Sequence, residues 1–142
     1  MNTKQLRIGD ICILNPKIKS DLPLDSLISF IPMSAVSFDG KVELTDTLIS
    51  SKAKNYTLFQ NGDILFAKIT PCMENGKGAI AHGLLNGYGA GSTEFIVLRP
   101  NTDCVTAKWL YLYLSQRSFR WKCQQHMTGS AGQKRVPAKY LA

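Results

Sequence analysis

A chain of 142 residues with 44% apolar side chains is long enough to build one domain with a real core, and too apolar to be disordered. Its net charge of +7 suits a polyanionic partner, and no stretch is apolar for long enough to span a membrane. Residues 1–7 are polar with no apolar run behind them, and Cys12, Cys72, Cys104 and Cys123 form no C-x-x-C pair. A cytoplasmic protein with free thiols is the expectation.

In chain order, residues 6–14 (LRIGDICIL) form a short apolar opening element, broken by Asn15-Pro16. Residues 17–25 read as a loop and 27–32 (LISFIP) as a strand ending at a proline. Residues 34–38 read as a weaker strand, followed by an Asp39-Gly40 turn. Residues 42–51 read as irregular or a short strand, and 53–59 as a short helix or an extended piece. Three apolar segments follow, 63–69, 78–82 and 93–98, each bounded by Gly, Asn or Pro and too short for an ordinary helix. Their polar connectors, 70–77 and 83–92, read as loops carried on a rigid sheet, which is how binding edges are usually built. Gly-Asp-Ile occurs at 9–11 and 62–64, too short a match to establish a repeat.

The period changes at Thr106, a candidate N-cap for a helix over TAKWLYLYLSQ. A second helix is expected over 118–126, stopped by Gly129, before the closing residues 128–141 (TGSAGQKRVPAKYL).

Charge is unevenly placed. Residues 1–103 carry ten acidic and ten basic side chains. Residues 104–142 carry seven basic ones (Lys108, Arg117, Arg120, Lys122, Lys134, Arg135 and Lys139) and no Asp or Glu. A solvated basic helix face accounts for such a bias equally well.

Most catalytic readings fail on spacing. GYGAGST (87–93) lacks the lysine and the following helix of a nucleotide loop, and reads as a turn or a DNA-contacting loop. Asp63, Glu74 and Lys77 evoke a metal-dependent nuclease, but with a Glu-x-x-Lys spacing rather than Glu-x-Lys. Cys123-x-x-His126 is one ligand pair where zinc needs two. No catalytic residue and no metal ligand is assigned. The aromatics of 109–121 fall at helical spacing and read as core. The segment 128–139 is the most informative. Gly129, Ser130, Ala131 and Gly132 allow close backbone approach, Gln133 can read a base edge, and Lys134 and Arg135 can meet phosphate or guanine.

With these residues in view, the chain resembles a target-recognition domain of a type I restriction-modification specificity subunit. The likeness rests on residues 6–11, FIPMSAVSFDG (30–40), NGDILFAKIT (61–70), GSTEFIVLRP (91–100), the helix over 109–114, and the closing 128–141. It implies a mixed α/β domain over 1–142, with twisted β-sheets and a C-terminal helical segment. It implies that the chain reads one half of a bipartite double-stranded DNA target, alongside methyltransferase subunits and a restriction subunit. S-adenosylmethionine, ATP and Mg would belong to those partners. The spacer helix of such subunits is absent through Ala142, which implies a piece of a longer subunit or of a half-subunit. Half-site binding should then be weak and strongly salt-dependent.

The expected DNA face combines loops 70–77, 87–93 and 128–135. Lys77, Lys134 and Arg135 are assigned to phosphate or guanine, and Asn75, Thr93 and Gln133 to base edges. Ser92 and Ser130 are assigned to the DNA backbone, with Lys68 and Thr70 on the same edge. The competing readings are a protein-interaction domain whose basic helices dock an acidic partner, and a nuclease using Asp63 and Glu74.

Overall fold

The computed structural model describes residues 3–18 and 22–142; three residues of the expected loop at 17–25 lie outside the described residues. A one-turn helix α1 (Ile8–Ile11) leads into β1 (Cys12–Leu14), β2 (Leu27–Ile31), β3 (Asp46–Ile49) and β4 (Thr57–Gln60). Then come β5 (Ile64–Ala67), β6 (Gly78–Ile80), β7 (Tyr88–Gly91) and β8 (Phe95–Pro100). Helices α2 (Ala107–Ser115), α3 (Arg117–Gln125) and the short α4 (Ala138–Leu141) close the chain. Among the described residues no helix is long and apolar enough to cross a membrane.

The strands form two four-stranded sheets, ordered β1-β8-β5-β6 and β3-β2-β7-β4. The first is antiparallel throughout; in the second, β2 and β7 run parallel. The alternation of side chains along a strand explains why 64–67 and 95–98 are apolar without interruption. Ile64, Phe66, Ile96 and Leu98 face α2 and α3, packing with Leu110, Leu114 and Cys123. Leu65, Phe95 and Val97 face the second sheet, packing with Ile31, Phe59 and Ala79. The result is three layers, helices on sheet on sheet, with the first sheet buried on both faces.

The predicted segments at 63–69, 78–82 and 93–98 become β5, β6 and β8, and 27–32 becomes β2. The undecided stretches 42–51 and 53–59 contribute β3 and β4. Residues 34–38 differ. A 3-10 turn occupies Met33–Ala35, and a single bridge between Val36 and Val42 closes the Asp39-Gly40 turn, with Gly40 at φ 88°. The α2 cap is as expected, Trp109 N–H donating to Thr106 Oγ1 at 3.1 Å. The second helix ends at Gln125, ahead of Gly129.

The largest departure is 83–92. It is not one loop, because Tyr88–Gly91 is an interior strand of the second sheet. Its glycines serve close packing: a Cβ on Gly89 would lie 2.4 Å from the Phe59 ring, and one on Gly91 2.2 Å from the Ile31 carbonyl oxygen.

Candidate nucleic-acid interface

The register brings several connectors to one end of the fold. Ile31 pairs with Gly91 and Gly91 with Thr57, while Ala67 pairs with Phe95. The ends of β2, β5 and β7 therefore lie beside the starts of β4 and β8. The sheets meet here, where Ser92 N–H donates to Ile31 O at 3.3 Å and residues 92–94 turn from β7 into β8.

The chain's closing segment is laced onto this end by backbone hydrogen bonds. Lys68 N–H donates to Glu94 O, Val136 N–H to Lys68 O, and Thr70 N–H to Lys134 O, each at 2.9 Å. Thr128 and Arg135 exchange both of their backbone hydrogen bonds, also at 2.9 Å. These links place Lys68, Thr70, Ser92, Thr93, Gln133, Lys134 and Arg135 on one strip, although they come from three distant parts of the sequence. Ser130 sits at the tip of the 128–135 hairpin, its carbonyl accepting from Gln133 N–H at 2.9 Å. Thr93, Ser130, Gln133 and Lys134 are exposed. Asn75 is exposed on the 70–77 loop, beyond the strip.

Two of the expected cations are already engaged. The Arg135 guanidinium forks onto Glu94 with both N–H···O distances at 2.8 Å, and Nη1 also donates to Gln133 O. It clamps the tail to the β7–β8 turn, so its bidentate face is not turned outward to guanine. Lys77 Nζ donates to Met33 O at 3.0 Å and stands 5.1 Å over the Phe38 ring, tying the 70–77 loop to the segment after β2. Ser92 Oγ accepts from Glu94 N–H, which leaves its own hydroxyl hydrogen free to donate.

The acid-free C-terminal charge is likewise not one surface. Arg120 is 3% exposed. Its Nε donates to Leu114 O at 2.8 Å, and Nη1 donates to Met73 O at 2.9 Å and Lys77 O at 3.3 Å. Its Cζ lies 4.1 Å over the Phe66 ring. Burial pulls its pKa down to about 10, still charged at neutral pH. Arg120 thus holds the 70–77 loop from below. The available sequence signal is its i, i+3 relation to Cys123, which marks the buried face of α3.

Sequence reasoning also passed over Lys17 and Tyr56. With Thr57, Lys68 and Thr93 they line a groove of about 480 Å³ beside the strip. Tyr56 is exposed and meets the Phe30 ring edge-on at 4.9 Å.

The nuclease pairing does not assemble. Asp63 is 1% exposed, forks onto Arg99 at 2.8 and 2.9 Å, and accepts from Gln60 N–H. It lies before β5 and Glu74 lies after it, so a four-residue strand of roughly 13 Å separates them. Glu74 instead accepts from the Thr70 hydroxyl. Among the described residues no three His, Cys, Asp or Glu side chains are grouped to hold a metal.

Glu94 is the titratable part of the clamp. The Arg135 hydrogen bond holds its carboxyl below the usual carboxylate range, against desolvation and with help from the charges of Arg135 and Lys68. A carboxylate with a depressed folded pKa stabilises above its unfolded value, near 4.5, and loses that contribution as pH falls through the folded value. The Arg135 Nε–H resonance should therefore shift with a midpoint below pH 4.5, and Glu94→Gln should abolish the transition. A midpoint at 4.5 or above would mean that the clamp is not formed in solution.

No protein-family model matches the chain. Against curated proteins, it is 49% identical over 138 residues to the type I restriction enzyme EcoAI specificity subunit of Escherichia coli. The chain is a homologue of type I restriction enzyme specificity subunits. The EcoEI specificity subunit of the same organism is 39% identical, again over 138 residues. These alignments cover 95% and 96% of this chain but only 23% of each relative, so the chain corresponds to about a quarter of a specificity subunit. The fold agrees with solved specificity subunits. The HsdS subunit from Thermoanaerobacter tengcongensis superposes with a TM-score of 0.71 at 17% identity, over 96% of this chain and 35% of that one. A chain from a structure addressing complex assembly and conformational transition of the type I R-M system gives 0.73, also at 17% identity with the same coverage.

Proposed function

We propose that this specificity-subunit homologue is a target-recognition unit that binds double-stranded DNA and reads one half of a bipartite target. The observation that carries the reading is the strip itself: small, polar and cationic side chains from 68–70, 92–93 and 133–134, held on one end of a rigid double sheet. Lys68 and Lys134 neutralise phosphates, and the Ser92 and Ser130 hydroxyls donate to phosphate oxygens. Thr93 and Gln133 on the strip, and Asn75 from the neighbouring 70–77 loop, take the base edges, the amides being able to grip adenine bidentately. Arg135 and Lys77 act mainly by positioning the loops that carry them. The chemistry of modification and restriction falls to methyltransferase subunits and a restriction subunit, which would bring S-adenosylmethionine, ATP and Mg. The chain itself then has no catalytic role, and it works in the cytoplasm, in keeping with its free cysteines.

Selection from a randomised duplex pool tests the reading: one short enriched motif supports it, and enrichment of none overturns it. Each phosphate contact contributes about −0.9 to the slope of log affinity against log salt. Lys68→Ala with Lys134→Ala should therefore weaken binding to every duplex and reduce that slope by about 2. An unchanged slope would remove the strip from the interface.

A further inference from the structure

The groove of about 480 Å³ beside the strip takes its walls from both sheets. Strand β1 runs antiparallel to β8 with Leu14 opposite Leu98, so the chain leaving β1 heads for the start of β8, at the end that carries the strip. Asn15 guides it there. Its backbone turns at φ 49°, a conformation that Asn adopts more readily than most residues. Its N–H donates to Val97 O at 2.6 Å, and its Oδ1 accepts from Val97 N–H at 3.0 Å. Ile18 is buried and anchors the segment, which leaves Lys17 exposed at the groove wall.

The other wall is the entry to β4. Thr57 pairs with Gly91 at the end of β7. Tyr56 is fixed just before it, its N–H donating to Ala53 O at 3.1 Å and its ring meeting Phe30 edge-on, yet it stays 41% exposed.

The groove carries one sign of charge. Lys17 and Lys68 line it together with the hydroxyls of Tyr56, Thr57 and Thr93, and no carboxylate stands among its described lining residues. Among the described residues neither lysine takes part in an ion pair. Glu94 follows Thr93 and feels the charge of Lys68, but Arg135 already holds both of its oxygens at 2.8 Å. Two ammonium groups and three hydroxyls suit an anion rich in acceptor oxygens. Lys68 and Thr93 belong to groove and strip alike, so the two surfaces are continuous.

Given duplex binding at the strip, on which this step rests, we propose that the groove seats the sugar-phosphate backbone of one DNA strand. Lys17 and Lys68 neutralise phosphates there, and the Tyr56 hydroxyl donates to a phosphate oxygen. The strip reads the bases, while the groove sets the register of the duplex on the protein.

Salt titrations of binding to a labelled random-sequence duplex of about 30 base pairs provide the test, since phosphate contacts ignore sequence. Lys17→Ala should reduce the slope of log affinity against log salt by about 0.9, and Lys17→Arg should keep the parental slope. Lys108→Ala, exposed near the start of α2 and beyond the far end of β8, should leave the slope unchanged. Tyr56→Phe removes a neutral donor, so it should weaken binding by about threefold or more at every salt concentration, with the parental slope. A parental slope in Lys17→Ala, or parental affinity in Tyr56→Phe, overturns the groove, while a reduced slope in Lys134→Ala still upholds the strip. Equal losses of slope in Lys108→Ala and Lys17→Ala overturn it as well, because the effect then follows net charge rather than position. A parent chain that shows no salt-dependent duplex binding overturns both readings.

Discussion

Arg120→Met should destabilise the protein by about 3 kcal/mol, whereas Arg117→Met, three residues earlier on the same helix, should change stability by no more than about 0.5 kcal/mol. Both substitutions remove one positive charge and leave an unbranched apolar side chain in place of the stem. They differ in what the guanidinium touches. Arg117 is exposed, while Arg120 is buried and donates to the carbonyls of Leu114, Met73 and Lys77. Met73 O and Lys77 O each keep a backbone donor, from Gly76 and Ala67, but Leu114 O near the end of α2 loses its charged donor inside the fold. Stacking on Phe66 is lost as well. For a domain of this size the expected fall in Tm is about 10 °C. The 70–77 loop, freed from below, should also lose hydrogen-exchange protection and duplex affinity. A methionine variant as stable as the parent would show that the three carbonyl contacts contribute nothing to folding.

The second large effect is expected at Gly91. A Cβ there would stand 2.2 Å from Ile31 O and 3.2 Å from Ile31 C, both of them backbone atoms with nowhere to rotate. Gly91→Ala must therefore separate β2 from β7 where they pair and where the turn 92–94 begins, at a cost of about 3 kcal/mol. Gly132→Ala is the informative control. It has a φ of 80° but nothing within 4 Å of an added Cβ, so it should cost only the strain of a left-handed backbone, about 1 kcal/mol. Urea denaturation of both variants gives the comparison. Equal losses would mean that backbone conformation, rather than close strand approach, makes glycine necessary at 91.

These two residues also mark where local reading fails. Arg120 belongs to an acid-free basic segment and counts towards a polyanion surface until the packing of α3 on the 70–77 loop is known. Gly91 belongs to a Gly-rich string with the composition of a turn, yet it lies inside a sheet. Turns do flank that strand, at Gly83 and Gly87 with positive φ and at Asn86 with φ 56°, and composition does not separate the two uses of glycine. Arg135 is a third instance. Its partner Glu94 lies 41 residues away, so its role as a clamp depends on a contact that no sequence window contains.

What the sequence determined by itself is what a short window encodes: the apolar strands β2, β5, β6 and β8, the Thr106-capped helix α2, and a closing segment, 104–142, without Asp or Glu. Strand and helix periods and caps are set by neighbours a few residues apart, and so they can be read directly. Only the tertiary structure decided that the stretch before Ser92 is a central strand, that Arg120 and Arg135 are spent on the fold, and that Trp109 faces solvent. It alone gathered Lys68, Thr93 and Lys134 on one end. Those outcomes follow from which distant backbones pair and which faces they cover, and pairing energy depends on the partner as much as on the strand.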